Sequence, residues 1–206
     1  MIQVDIEKKL KVYKGNRKLK VTHVFSKGSV TIISGESGVG KTTFLKILAG
    51  FNELDNGYIR VEGKEWVNTQ TKINLPPQKR LAGFVFQDYA LFPNMTVMQH
   101  LQYATKDEKW IYKLLTITKL ETFKEHQPRH LSGGQQQRLA IIRALATKPS
   151  ILLMDEPFSA LDFEIKQYLM FELNAIFKIL GTTVLIVSHN PHELENIATN
   201  RLIIQI

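Results

Sequence analysis

The segment GESGVGKTT, residues 35–43, is the most informative part of the sequence, because it places a glycine-rich turn between the apolar runs SVTIIS and FLKILAG. The pattern G-x-x-x-x-G-K-T between a strand and a helix is typical of a loop that binds nucleotide phosphates. Glycines allow positive φ and close approach of the backbone, and N–H groups at a helix start attract anions. The predicted phosphate-binding residues are Gly35, Glu36, Ser37, Gly38, Val39, Gly40, Lys41, Thr42 and Thr43.

A second motif, ILLMDE at residues 151–156, is an apolar run that ends in two carboxylates. At the carboxyl end of a strand in an open α/β sheet, such a run places acids near the phosphates. Lys41 is then expected to neutralise β- and γ-phosphate oxygens, while the Thr42 hydroxyl and Asp155 hold Mg²⁺. Glu156 is expected to polarise the water molecule that attacks the nucleotide.

The composition fits one folded domain, since the chain has 206 residues of which 44% are hydrophobic and 22% charged. No apolar run approaches the ~18–20 residues of a membrane-spanning helix, and the N-terminus lacks a signal-peptide core, so a cytosolic location is expected. The absence of cysteine excludes a disulfide framework and a Cys-ligated zinc site. The net charge of +8 suits an anionic partner, but the lysine-rich segment EKKLKVYKGNRKLK also fits exposed edge strands.

Apolar runs alternate with amphipathic segments, which predicts an α/β fold with a mostly parallel sheet wound on both faces. The predicted strands of this sheet are SVTIIS, FVFQ, ILLMD, VLIVSH and RLIIQI. IQVDI, KLKVY and LKVTHVF predict an antiparallel edge subdomain, with GYIRVEG as another edge strand and INLPPQKR as a loop. Helices are predicted from about residue 96 to 125, from Ser132, over residues 162–180 and briefly over PHELENIA, with a helical lobe at about residues 88–130.

A third motif, LSGGQQQR at residues 131–138, gives the chain a second glycine-rich helix start. Ser132 and Gln135 fit the S-x-x-Q capping box, which by itself predicts a well-capped helix. Gly133 and Gly134, however, lower helix propensity by about 1 kcal/mol each and leave the helix start open to an anion. Two phosphate-binding helix starts but one lysine loop indicate that the second start serves the nucleotide of another subunit.

Together these motifs resemble those of the ATP-binding cassette (ABC) family, over essentially the whole chain. Besides the phosphate loop, LSGGQ and the DE pair, FVFQD places Gln87 at the family's Q-loop position and IVSH places His189 at its switch histidine. The family's D-loop is matched by SALD, which comprises Ser159, Ala160, Leu161 and Asp162. Six motifs in this order and at suitable spacing make the resemblance specific.

The resemblance implies a head-to-tail dimer with two ATP molecules, each between the phosphate loop of one chain and the LSGGQ of the other. Glu156 is then the general base, His189 contacts the γ-phosphate, and Gln87 contacts Mg²⁺ and the attacking water. The implied Mg²⁺ ligands are Thr42, Gln87 and Asp155. Tyr13 is expected to stack on adenine, with a place in a small strand core as its alternative, and Phe25 is the second candidate for this role.

The resemblance also bears on the kind of ABC protein. Members that act on DNA insert a long coiled coil between the phosphate loop and LSGGQ, whereas the roughly ninety residues here show no sustained heptads. Members that act on the ribosome usually carry two cassettes, whereas this chain has room for one. A non-transport ATPase that acts on DNA or the ribosome stays the alternative. Residues 75–104 resemble ATPases of importers for molybdate, sulfate and related solutes, in which VFQDYALFP contacts the membrane subunit.

The resulting expectation is one cassette, residues 1–206, at the cytoplasmic face of a membrane. Its expected partners are a permease, a second copy of the chain and, indirectly, a solute-binding protein, and no nucleic acid. No C-terminal regulatory domain is expected, since the sequence ends at Ile206 just after RLIIQI. Trp66 and the NTQTKIN loop favour the molybdate branch, while Asn190 and Glu36 depart from the family pattern without removing a catalytic group.

Overall fold

The protein, described by a computed structural model over residues 1–11 and 16–205, contains two β-sheets and five α-helices in that part of the chain. The strands are β1 Ile2–Lys11, β2 Asn16–Phe25, β3 Val30–Ser34, β4 Asn56–Val61, β5 Lys64–Asn68, β6 Ile73–Asn74, β7 Ala82–Val85, β8 Ile151–Asp155, β9 Thr183–Val187 and β10 Asn200–Ile203. The α-helices are α1 Lys41–Ala49, α2 Val97–Ala104, α3 Glu108–Thr118, α4 Gly133–Ala146 and α5 Phe163–Leu180. Short 3-10 helices cover Pro77–Lys79, Glu121–Phe123, Pro128–His130 and Pro191–Leu194.

A parallel sheet in the order β10-β3-β9-β8-β7 forms the centre of the molecule. Successive residues of its strands enter two different apolar cores: Ile32 and Leu152 lie in one, and their neighbours Ile33 and Leu153 lie in the other. Every residue of β3, β8 and β9 is buried, as expected for strands that are covered on both faces. The predicted parallel sheet wound on both faces is therefore confirmed.

A second, antiparallel sheet has the order β2-β1-β4-β5-β6. IQVDI and the start of KLKVY belong to one continuous strand, β1, and not to two strands. The prediction of an edge strand for GYIRVEG is wrong, because β4 pairs with β1 on one side and with β5 on the other. The sequence missed β5 because only Trp66 and Val67 of this short strand are buried, beside Ile59 in the same core.

The two longest helices, α4 and α5, begin where the sequence patterns predicted. Ser132 and Asp162 are the N-cap residues of α4 and α5, as the patterns predicted. The predicted helical stretch at residues 96–125 is interrupted between α2 and α3, which both pack against α4. PHELENIA forms only the 3-10 turn Pro191–Leu194, and the bounds of a separate lobe at residues 88–130 stay a prediction. None of the helices described here combines the length and apolar character needed to cross a membrane.

Candidate functional site

A pocket of about 220 Å³ opens at the carboxyl ends of the central strands. Parallel strands end at one edge of the sheet, so the side chains that follow them converge there. The residues that line the pocket are Ser37, Gly38, Lys41, Thr42, Gln87, Asp155, Glu156, Val187 and His189. All of them except Val187 belong to the set predicted from the sequence, so the fold brings together segments that lie up to about 150 residues apart in the chain.

The phosphate loop depends on its glycines for both conformation and packing. Gly35, Gly38 and Gly40 have φ values of 146°, 78° and 100°, which residues with a side chain rarely adopt. A Cβ atom on Gly35 would lie 2.3 Å from the backbone oxygen of Ile204, so the chain after β10 closes tightly against the loop. A Cβ on Gly38 would meet no described atom within 4 Å, which leaves that side of the loop accessible to a ligand.

The other loop residues line two neighbouring cavities. Gly38, Gly40, Thr42 and Thr43 border a cavity of about 480 Å³ together with Lys8, Lys9, Leu10 and Asn52. Gly35, Glu36 and Val39 border one of about 430 Å³ together with Arg17, Ile203, Ile204 and Gln205. The loop therefore presents one face to the carboxylates of the pocket and other faces to cavities bordered by basic side chains.

Lys41 begins α1, and its side chain folds back over the loop. Its ammonium donates hydrogen bonds to the backbone oxygens of Gly35 at 2.8 Å and Glu36 at 2.9 Å. An ammonium has three N–H donors, so the bonds to described residues leave one for a ligand. Lys41 is 6% exposed, and its charge adds to the positive end of the α1 dipole at the mouth of the loop.

Thr42 and Asp155 form the oxygen-rich side of the pocket. The Thr42 hydroxyl donates to Asp155 Oδ1 at 3.1 Å, and Asp155 is buried at the end of β8. Burial raises the pKa of Asp155, and the hydrogen bond from Thr42 opposes this shift. A hydroxyl, a carboxylate and the amide of Gln87 are the hard oxygen donors that Mg²⁺ prefers, and Mg²⁺ sites commonly use one or two carboxylates completed by phosphate and water. The residues therefore fit this metal.

Glu156 carries a buried acceptor that lacks a partner. Its Oε1 atom makes no hydrogen bond within the described chain, and His189 Nε2 lies 3.6 Å away. Burial raises the pKa of Glu156; the nearby His189 opposes the shift, and the like charge of Asp155 adds to it. An unpaired buried oxygen in a native pocket calls for a ligand or an ordered water molecule as its donor.

Gln87 and His189 lie at the entrance of the pocket. Gln87 is exposed and follows β7 by two residues, and the side chain of His189 is 64% exposed. Their exposure contrasts with the burial of Asp155 and Glu156 at the base. The polar groups at the entrance are therefore accessible to solvent, whereas those at the base are enclosed.

The LSGGQ segment lies outside this pocket. Ser132 Oγ accepts a hydrogen bond from the Gln135 N–H at 3.3 Å, and the Gln135 side-chain oxygen accepts from the Ser132 N–H at 2.8 Å, so the predicted capping box is present. Ser132 and Gly133 are exposed, and Gly134 is half-buried. The described residues that line the 220 Å³ pocket include none of these four positions.

The D-loop residues connect the pocket to both neighbouring helices. Ser159 Oγ donates to the Glu156 backbone oxygen at 3.1 Å, and the Asp162 carboxylate caps α5 by accepting from Ile165 N–H at 2.9 Å. The Ala160 N–H donates to the side chain of Gln137 at 2.9 Å, while Leu161 is buried in the core. The sequence analysis did not identify Gln137, because a glutamine within a polar helical segment such as LSGGQQQR is expected to be solvent-exposed.

The predicted adenine-stacking residue, Tyr13, lies outside the described residues. The second candidate, Phe25, is wrong, because its ring is fully buried in the core. It packs against the ring of His23 at 4.6 Å and that of Phe44 at 6.3 Å between centroids. An interior ring with such neighbours presents no face to a nucleotide.

A family model described as ABC transporter matches residues 19–159 of the chain. The chain belongs to the ABC transporter family. Its structure is similar to the dimeric, post-hydrolysis state of the ATP-binding cassette MJ0796 bound to ADP and Pi, with a TM-score of 0.84, 29% identity and coverage of 100% of this chain and 94% of the other. The predicted P-loop NTPase cassette fold is thus confirmed for this ABC protein.

Curated relatives of this ABC chain include import ATP-binding proteins of two kinds. The spermidine/putrescine import ATP-binding protein PotA of Clostridioides difficile is 43% identical over 175 residues, which are 81% of this chain and 49% of the relative. The molybdenum import ATP-binding protein ModC of Haemophilus ducreyi is 36% identical over 208 residues, which are 100% of this chain and 58% of the relative. The ABC chain therefore spans about half the length of the curated relatives it matches.

Proposed function

We propose that the chain is the ATP-binding and ATP-hydrolysing subunit of an ABC importer. The observation that carries the proposal is the partnerless, buried Oε1 atom of Glu156 in a pocket shared with Lys41, Thr42 and Asp155. An acceptor of this kind, next to a phosphate loop, fits the binding and polarisation of a water molecule. The raised pKa of Glu156 makes its carboxylate a better acceptor for the proton that this water loses.

The proposed roles follow from position. Lys41 and the N–H groups at the start of α1 bind the β- and γ-phosphates of ATP, and Thr42, Asp155 and Gln87 hold Mg²⁺. The ion, when bound, neutralises phosphate charge and orients the γ-phosphoryl group. Glu156 accepts the proton of the attacking water, and His189, adjacent to Glu156, donates a hydrogen bond towards the γ-phosphate.

The proposed active assembly is a head-to-tail dimer of two copies. Within one chain the exposed Ser132 does not line the pocket, so its phosphate-binding role requires a nucleotide held by another subunit. Two solved structures of the cassette MJ0796, to which this chain is similar, are described as dimeric, which supports the same arrangement here. On this proposal, residues 1–206 act as one cassette domain, and Ser132 to Gln135 complete the partner's site.

The segment VFQDYALFP is proposed as the contact with a permease at the cytoplasmic face of the membrane. Phe92 and Tyr103 are 42% and 72% exposed, with ring centroids 5.7 Å apart. Arg143 of α4 donates to the backbone oxygens of Tyr89 at 3.1 Å and Ala90 at 2.5 Å, two residues with positive φ. Neighbouring exposed aromatic rings on a backbone held in this way support docking of an apolar helix of a membrane subunit.

The proposed cargo of the importer is an oxyanion. Resemblance of residues 75–104 to the molybdate branch favours molybdate, with tungstate or sulfate next. One relative that covers the full chain is a molybdenum import ATP-binding protein, whereas several spermidine/putrescine import ATP-binding proteins share higher identity over about four fifths of it. Residues that face ATP or a permease carry no imprint of the solute, so the choice between an oxyanion and a polyamine requires a transport measurement.

The test is to reconstitute the chain in vesicles with the permease and the solute-binding protein that are encoded next to its gene. ATP hydrolysis is expected to rise with the binding protein loaded with molybdate, and not with a sugar or an amino acid. Stimulation by spermidine would replace the oxyanion and leave the importer function standing. Stimulation by DNA or ribosomes in place of the membrane partner would overturn the importer proposal.

A further inference from the structure

A buried glutamine joins the LSGGQ helix to the turn that carries Glu156. Gln137 lies in the first turns of α4 and is 1% exposed. Its Nε2 donates to the Glu156 backbone oxygen at 3.0 Å and to Ser159 Oγ at 3.2 Å, and its Oε1 accepts from the Ala160 N–H at 2.9 Å. Both ends of one amide are therefore bonded to a single short turn of the chain.

The turn that Gln137 holds has a strained conformation at Glu156. Its φ of 52° lies in the left-handed region, which costs free energy for a residue with a side chain. The Glu156 N–H donates to the Val187 backbone oxygen at 3.1 Å, and Gln137 and Ser159 donate to its carbonyl. Such a conformation persists when its surroundings fix it, and here hydrogen bonds fix the residue on both sides.

We infer that Gln137 is a positioning residue for ATP hydrolysis, which fixes the backbone of Glu156 and ties it to the LSGGQ start of the same chain. The inference rests on the proposed function. The backbone supports it, because a Cβ atom on Gly134 would lie 3.1 Å from the Ala160 oxygen, so helix and turn also touch beside the amide. Binding of a phosphate at Ser132 therefore acts on Glu156 through a rigid connection, and one site of a dimer is linked to the other.

The first test compares two adjacent glutamines of α4. Gln137→Met keeps the length of the side chain and removes the amide, which is expected to lower kcat about tenfold with KM for ATP within about twofold of the wild type. Gln136→Met is the matched control, because the Gln136 amide donates to the backbone oxygens of Pro128 and Leu131 and not to the Glu156 turn. The control is expected to lose thermal stability while keeping kcat.

The second test uses Gln137→Glu, which keeps the size of the side chain and changes only its terminal group. A glutamate keeps the acceptor for the Ala160 N–H but sets an oxygen, in place of a donor, against the Glu156 carbonyl. At pH 8 its kcat is expected to fall at least as far as that of Gln137→Met. An inactive wild type would overturn the proposed function and this inference together; an active wild type with unchanged kcat in both Gln137 variants would overturn the inference alone.

Discussion

The two glycine-rich helix starts of this molecule are built in different ways. Helix α1 begins after Gly40, which has a φ of 100° and no side-chain cap. Helix α4 begins after Ser132, which forms a reciprocal capping box with Gln135. The first start leaves its backbone N–H groups for a ligand, whereas the second satisfies some of its polar groups within the chain.

The two adjacent glycines of the α4 start, Gly133 and Gly134, differ in their surroundings. A Cβ on Gly133 would have the Tyr89 hydroxyl as its nearest described neighbour at 3.9 Å, so this position has room. A Cβ on Gly134 would lie 3.1 Å from the Ala160 oxygen and 3.3 Å from Leu161, so this glycine permits close packing on the D-loop. Ser132 Oγ accepts a hydrogen bond in its cap, so its own hydroxyl proton is available for the phosphate contact that we propose.

The largest expected effect is the loss of ATP hydrolysis in Glu156→Gln, which should trap a dimer in which both helix starts contact ATP. Glu156→Gln removes the proton acceptor and leaves Lys41, so hydrolysis is expected to fall about a thousandfold while ATP binding persists. ATP then stays between α1 of one chain and α4 of the other, and size-exclusion chromatography should show an ATP-dependent dimer. Hydrolysis near the wild-type rate would contradict the role of Glu156.

The next largest effect is a difference in ATP affinity between variants of the two helix starts, Lys41→Ala in α1 and Ser132→Arg before α4. Lys41→Ala removes a charge paired with the phosphates and is expected to weaken ATP binding about ten- to a hundredfold. Ser132→Arg is expected to leave the affinity of the single chain near that of the wild type and to lower hydrolysis. Calorimetry at concentrations that keep the chain monomeric checks both values, and an equal loss of affinity in the two variants would contradict the comparison.

Mixing these two variants tests whether the α4 start acts on another subunit. A heterodimer of Lys41→Ala and Ser132→Arg chains contains one site with both wild-type residues. ATP hydrolysis is expected to rise on mixing above the sum of the rates that the two variants show alone. Absence of recovery, with heterodimers demonstrated by differential tagging, would contradict independent sites that are completed in trans.

A smaller effect distinguishes the two glycines of LSGGQ by stability. Gly133→Ala has room and gains helix propensity, so its melting temperature should equal or exceed that of the wild type. Gly134→Ala gains the same helix propensity but requires the Ala160 carbonyl to move, so its melting temperature is expected to lie about 2–4 °C below that of Gly133→Ala. Scanning calorimetry without nucleotide measures both, and equal values would show that Gly134 does not support this packing.

The smallest expected effect is a pH dependence of the melting temperature that comes from Glu156 in the 220 Å³ pocket. Burial raises the folded-state pKa of Glu156, so its ionised form is disfavoured in the folded protein. Glu156→Gln is therefore expected to raise the melting temperature at pH 8, and this gain should shrink as the pH falls through the raised pKa towards the unfolded value. Ser132→Ala serves as control, because loss of a neutral cap, about 1 kcal/mol, should be constant over this range.

The site was largely predictable because its parts are local sequence patterns. A glycine loop before Lys41 and an apolar run before Asp155 each specify a strand end and a chemical group within a few residues. Since parallel strands end at one edge, recognising the strands was enough to predict that these groups meet. Tyr13 lies outside the described residues, and Phe25 failed because a sequence does not distinguish a core ring from an exposed one.

Other features depend on contacts between distant segments, which local patterns do not encode. Arg80 belongs to the predicted loop INLPPQKR, and nothing in the sequence indicated that its side chain is buried. It is 1% exposed and donates to the backbone oxygens of Ile47 and Leu48 at the end of α1. Burial lowers its pKa to about 10, and a Cβ on Gly50 would lie 2.8 Å from its guanidinium.

Local sequence patterns were sufficient to predict the parallel sheet, the phosphate loop and the acids at the strand ends. Contacts between distant segments make β4 an inner strand, bury Gln137 against the Glu156 turn and pack Gly134 on the D-loop, and no local pattern indicated these three features. The physical reason is that a residue's periodicity and propensity fix its element, whereas its burial and hydrogen-bond partners are set by whichever distant segment the fold places beside it.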